Sequence, residues 1–158
     1  MIYVEQKTRV KRKMLDACIA RQQTLITDLK NHIKSLFENE NLAKGNLQDS
    51  LSTPVDPQIF EEANLLNNAL NFANKELQQL HQLYSIEDLL HNKVELGAAV
   101  VTHLGTFFIS ADLEEVQMDG EFFMGLSSDS PFYLAMKGKR IGEMFIYKGT
   151  SYHIQDIF

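Results

Sequence analysis

The chain has 158 residues, 44% hydrophobic and 23% charged, the composition of an ordinary globular protein of one or two small domains. Its formal net charge of −6 is unevenly spread: residues 1–37 hold eight Lys and Arg against three Asp and Glu, residues 38–95 three against ten, and residues 96–158 four against eight. No run of about 18 apolar residues is present and the N-terminal MIYVEQKTRVKRKM lacks an apolar signal core, so the expectation is a cytoplasmic protein with no membrane partner. The single cysteine, Cys18, cannot form an intramolecular disulfide, which suits a reducing compartment.

From about Glu5 to Asn39 the chain contains neither Gly nor Pro and reads as one long helix. Leu15, Cys18, Gln22, Leu25, Leu29, His32 and Leu36 recur at spacings of three and four, and Ile19, Ile26 and Ile33 widen that face. Gly45, Asn46, Ser50, Ser52, Pro54 and Pro57 then break the pattern. Asp56 is a good N-cap and Pro57 a good first residue for a second helix running to about Tyr84. Its seam is Ile59, Ala63, Leu66, Leu70, Ala73, Leu77, Leu80 and Tyr84. Two amphipathic helices joined by one loop bury their seams by folding back on each other. Residues 1–84 are therefore expected to form an antiparallel coiled-coil hairpin with its tip at about 40–57. A basic stripe on the first helix, Lys7, Arg9, Lys11, Arg12, Lys13, Arg21, Lys30 and Lys34, suits a polyanionic neighbour and equally a solvated face.

Residues 85–93 read as a connector with a short helical turn over Ile86–Leu90. From Val94 the hydrophobic period changes to two. Ala98–Thr102, Gly105–Ser110, Glu114–Met118, Phe122–Leu126, Glu143–Tyr147 and Tyr152–Ile157 are strand candidates, with a tight turn at Asp119-Gly120. Between the fourth and fifth, Asp129, Ser130 and Pro131 give a helix-start signal: a capping side chain with Pro at the first helical position. Phe132, Leu134, Ala135 and Met136 follow as a short apolar helix, and Gly138 stops it between Lys137 and Lys139. The class is α+β: a helical hairpin, then an antiparallel β domain over 94–158 with one short helix.

Cys18 lies on a helical seam, where a small buried residue is expected rather than a catalytic thiol. His32, His81, His91, His103 and His153 are scattered, and none has a partner at metal-ligand spacing, so no structural metal site is expected. The usual glycine-rich nucleotide loops and the nucleophile-elbow motif are absent.

The run Ser127, Ser130-Pro131, Leu134-Ala135-Met136, Gly138-Lys139, Gly142-Glu143 resembles the C-terminal signature of the Gre transcript-cleavage factors of bacteria. Tyr152-His153-Ile154 and Ile157 are similar to that domain's last strand, and Val94-Glu95-Leu96-Gly97 with Val100 to its first. The motifs cover residues 94–158; residues 1–84 match by architecture alone. The resemblance implies an FKBP-like fold for the C-terminal domain, RNA polymerase as partner, nascent RNA as an indirect one, and no cofactor beyond a Mg²⁺ shared with the polymerase active site. It also implies docking through the corner at Asp129, Ser130 and Pro131. In the family, acids at the hairpin tip reach the polymerase's catalytic metal. Here the tip acids are Glu38, Glu40, Asp49 and Asp56, with Glu61 and Glu62 on the next turn, but Lys44 or Gly45 stands where a second acid is expected. The implied function is an elongation regulator, not itself an enzyme, that modulates RNA cleavage rather than strongly stimulating it. The alternatives are a Gre-like module with another partner and a prolyl isomerase. The latter needs a deep aromatic pocket, normally with a Trp; this chain has no Trp, and Phe107, Phe108, Phe122, Phe123 and Phe145 are expected at strand core positions.

Overall fold

The computed structural model of the protein describes residues 2–44, 56–86 and 88–158. Helix α1 spans Ile2–Lys44 and α2 spans Pro57–Gln82, the latter running on into a 3₁₀ turn at Leu83–Ile86. With no Gly or Pro before Gly45, nothing in the sequence stops α1 earlier. Asp56 starts α2 as a true cap: its Oδ1 accepts the Gln58 N–H at 2.9 Å and its carbonyl accepts the Phe60 N–H at 3.0 Å. The expected loop from Gly45 through Pro54 lies outside the described residues. Among the described residues no helix is long and apolar enough to cross a membrane.

The chain forms two compact units, Gln22–Leu77 on one hand and Met1–Arg21 with Gln78–Phe158 on the other. In the first, α1 and α2 run antiparallel. Gln22 Nε2 donates to the Ala73 carbonyl at 3.0 Å, while ten residues up α1 the His32 Nε2 lies 3.8 Å from Glu62 Oε1, eleven residues back down α2. Ile26, Ala63 and Ala73 are buried; Leu29, Ile33, Leu36, Ile59, Leu66, Leu70 and Leu77 are half-buried. Most of the expected α1 face is covered: Gln22 and Ile26 are buried and Leu29, Ile33 and Leu36 half-buried. Leu25, 42% exposed, and His32, exposed, are the two expected seam positions that lie outside it.

The second unit is built on a six-stranded sheet of order β3-β4-β2-β1-β6-β5. The strands are β1 Ala99–Thr102, β2 Gly105–Ile109, β3 Leu113–Met118, β4 Glu121–Leu126, β5 Met144–Tyr147 and β6 Thr150–Ile157. β2 and β4 pair in parallel and every other pairing is antiparallel. Helix α3, Pro131–Met136, lies between β4 and β5 in the chain. The Asp119-Gly120 turn joins β3 to β4, with φ of 52° and 81° at the two residues.

Alternation along β2 sends successive side chains to opposite faces. Phe107 and Ile109 join Val100, Ile154 and Phe145 under Tyr133 and Met136 of α3. Phe108 faces the other way, with Lys11 and Leu15 of α1, Leu83 and Ile86 around it. Phe123 does the same beside Val10, Met14 and Phe158. Leu80 is fully buried. Tyr84, expected on the seam, is exposed, its hydroxyl donating to Asp16 Oδ1.

Two expectations on the connector are corrected. Its helical turn comes earlier, at Leu83–Ile86, and Val94–Gly97 is not a strand. Lys93 makes a single bridge to Arg140, the Val94 N–H donates to the Lys139 carbonyl at 2.8 Å, and Gly97 then turns the chain with φ of +88°. A side chain at Gly97 would also press on Ile86 Cδ1 at 2.9 Å. His91 Nδ1 and Glu95 Oε1 lie 2.7 Å apart in this segment. That hydrogen bond, with the charges of His91, Lys93 and Lys11, holds the Glu95 carboxyl below its ordinary pKa.

Gly125 is the tightest point of the sheet. It pairs with Phe108 on one side and Leu113 on the other, and an added Cβ would sit 2.4 Å from the Ala111 carbonyl oxygen. Gly125→Ala should therefore lower the stability of this unit by about 1–3 kcal/mol or more. Urea denaturation checks it; an unchanged midpoint would contradict the close approach of the Ala111 carbonyl to Gly125.

Candidate functional site

The corner before α3 is built by backbone geometry. Pro131 occupies the first helical turn, where its missing N–H costs no hydrogen bond. Ser130 sits at the N-cap position with φ −62° and ψ 132°, but its side chain makes no capping hydrogen bond, which corrects the expectation of a capping side chain. The corner is held from outside instead. Asp112 Oδ1 accepts the Ser127 N–H at 2.8 Å and its Oδ2 accepts the Ser127 hydroxyl at 3.0 Å. The Ser130 N–H then closes a turn onto the Ser127 carbonyl at 3.1 Å. Asp129 and Pro131 are exposed on this turn and Ser130 is half-exposed. At the other end Gly138 has φ of +75°, and its N–H reaches the Val94 carbonyl at 2.9 Å. Asp112 was not singled out from the sequence. Its only signal there is a lone acid just after a strand, a position where Asp commonly caps backbone N–H groups.

The basic residues of α1 divide by role. Lys11 is 1% exposed and its Nζ donates to the Leu89 carbonyl at 2.5 Å. Lys7 Nζ pairs with Asp156 Oδ1 at 2.9 Å and lies 5.3 Å from the centre of the Phe158 ring. Both therefore take part in packing α1 on the sheet. Lys13 is paired in the open with Asp119 at 3.1 Å. Arg9, Arg12, Arg21 and Lys30 are exposed, as is Lys34, which lies 3.8 Å from Glu38. An exposed pair of that kind adds little stability.

Of the tip acids, Glu38 lies beside Lys34 and Asp56 caps α2. Glu40 falls in the last turns of α1 with its side chain outside what is described, and Asp49 lies outside the described residues. Among the described residues no group of three or more His, Cys, Asp or Glu side chains could hold a metal ion. His103 and His153 meet, ring centres 5.0 Å apart, where the His153 N–H donates to His103 Nδ1 at 3.1 Å.

Cys18 is buried, with its sulfur 4.0 Å from the Ser110 hydroxyl. Desolvation outweighs that hydrogen bond and pushes the thiol pKa from 9.0 up to about 12. In Tyr133, burial first and then the Glu95 charge raise the phenol above its ordinary value.

Beside the corner, a cavity of about 290 Å³ opens between β2, β3, β4, β6 and α3. Phe107, Phe132 and Tyr152 form its wall and Phe122, Met124, Glu114 and Glu115 its mouth. Phe107, Phe108, Phe123 and Phe145 are core residues as expected, but Phe122 is 60% exposed. Two consecutive aromatics in a strand cannot share one face, and that is the signal the sequence carried.

Two outcomes follow for these residues. Cys18 in the folded protein should stay unreactive toward an aromatic disulfide reagent at pH 8 and react once the chain is unfolded in urea. Rapid labelling of the folded protein would show that the thiol is accessible. Asp112→Ala should speed amide hydrogen exchange at Ser127 with a stability loss of about 1 kcal/mol; unchanged exchange there would mean Asp112 does not hold the corner. No protein-family model matches the chain, and no curated protein matches it.

Proposed function

We propose that the protein is an RNA polymerase-binding elongation regulator of the Gre type, cytoplasmic, acting through the secondary channel of the polymerase. The observation that carries the reading is one chain that joins an antiparallel pair of long helices to an α+β domain whose short helix starts at an exposed Asp129–Pro131 corner and stops at Gly138. The signature residues from Ser127 to Glu143 fall on that corner, helix and turn, which supports an FKBP-like domain of the Gre kind. On this reading the corner docks on the polymerase and the hairpin tip enters the channel. Arg9, Arg12, Arg21, Lys30 and Lys34 are exposed and supply salt-sensitive attraction to RNA or to an acidic channel wall. Lys7 and Lys11 are engaged in packing α1 on the sheet and contribute less.

The protein is not an enzyme on its own. On this reading any Mg²⁺ at the tip is the polymerase's; Glu38 lies beside Lys34 and Asp56 caps α2. Lending carboxylates to a reaction demands placement to within about an ångström. Lys44 or Gly45 stands where the family has its second acid, so the reading is occupancy of the channel with weak or no stimulation of RNA cleavage.

A backtracked elongation complex with labelled RNA tests both parts. The protein should slow or pause elongation, and release of 3′ RNA fragments should stay near the intrinsic rate. Rapid cleavage abolished by Glu40→Ala or Asp49→Ala would show a working acid donor. Asp129→Ala with Pro131→Ala should weaken polymerase binding more than about tenfold, or about 1.4 kcal/mol, without unfolding the domain. Wild-type affinity in that variant would leave the corner no docking role.

A further inference from the structure

The cavity beside the corner has a chemistry of its own. Its wall is three aromatic rings in mutual contact: Phe107 and Phe132 have centres 4.8 Å apart, Phe132 and Tyr152 5.2 Å at 72°, and Phe107 and Tyr152 6.1 Å at 74°. Phe122, 60% exposed, and Met124 stand at the mouth. Glu114 and Glu115 complete it, and neither makes an ion pair or side-chain hydrogen bond among the described residues. No lining residue is basic. Arg21 borders the adjoining open groove, lined by the same Glu114, Glu115, Phe122 and Met124, without forming an ion pair with either carboxylate.

We propose that this cavity binds an organic cation, an alkylammonium or guanidinium group. Ring faces carry negative charge density and attract a cation within about 6 Å of their centres, and the attraction grows as the cation leaves water. The two carboxylates add a charge-assisted partner at the mouth. An anionic ligand would meet them with repulsion. A neutral apolar ligand would take solvent from them and return no hydrogen bond. The volume of about 290 Å³ admits one side chain or one small amine rather than a folded element. The inference stands on the cavity alone and does not depend on the polymerase reading.

The Met124 methyl group reports occupancy by NMR in the full chain. Four probes are titrated: choline, its neutral isostere 3,3-dimethylbutanol, a capped Gly-Arg-Gly peptide and its citrulline counterpart. The expected result is a saturable Met124 shift with choline, the arginine peptide or both, about tenfold weaker with the matched neutral probe. Tighter binding of the peptide assigns the site to a partner's side chain; tighter binding of choline assigns it to a free small amine. Glu114→Gln with Glu115→Gln, and separately Phe122→Leu, should each weaken the cation at least about fivefold. These side chains are exposed, so the fold should persist, as an unchanged melting curve would verify. Equal binding of neutral and cationic probes, or no Met124 shift with either cation, overturns the proposal.

Discussion

Two adjacent phenylalanines, Phe107 and Phe108, must be buried on opposite faces of one thin sheet, and the architecture of the larger unit follows from that. One face is covered by α1 and the 3₁₀ turn after α2, through Lys11, Leu15, Leu83 and Ile86 around Phe108. The other is covered by α3, through Tyr133 and Met136. But α3 is only six residues long, bounded by Pro131 at its start and Gly138 at its end. A helix that short cannot roof a six-stranded sheet, so the β4 end of its face stays open. The cavity and the exposure of Phe122 and Met124 are consequences of that shortfall, and the aromatic wall of Phe107, Phe132 and Tyr152 is where the core meets solvent.

Helix α1 is asked for two kinds of burial along its length. Before Arg21 it presents Met14, Leu15 and Cys18 for the sheet unit, and from Gln22 on it presents Ile26, Leu29 and Ile33 for α2. Two of its cations, Lys7 and Lys11, are drawn into the packing, while Arg9, Arg12 and Lys13 on the same stretch are exposed. Lys11 is buried, and the Leu89 carbonyl accepts from its ammonium, one of the contacts that offset the loss of water. Beyond Arg21 the cations are in solvent. A count of Lys and Arg along the first 37 residues therefore overstates the charge free to meet a partner.

Features set by local chemistry were legible from the sequence. All six strands, the Asp119-Gly120 turn, the Asp56 cap, the Pro131 start and the Gly138 stop were read from residue type and spacing, and each is where those residues place it. Features decided by tertiary competition were not. Leu25 and His32 fit the seam spacing, yet packing leaves both exposed. Val94–Gly97 has strand-like composition, yet the turn at Gly97 takes it out of the sheet. Ser130 has the residue type of a cap, while the hydrogen bonds that hold the corner come from Asp112, 15 residues before Ser127. The cavity needed four strands and a helix to meet, and only the Phe122-Phe123 pair hinted at it.

A photocrosslinking residue placed at Asn39, exposed near the end of α1, reports where the hairpin end goes in a backtracked elongation complex with the cognate polymerase. Entry into the secondary channel predicts crosslinks to polymerase segments lining that channel or to the RNA 3′ end. Crosslinks confined to the polymerase's outer surface, or none to any polymerase subunit, would contradict it.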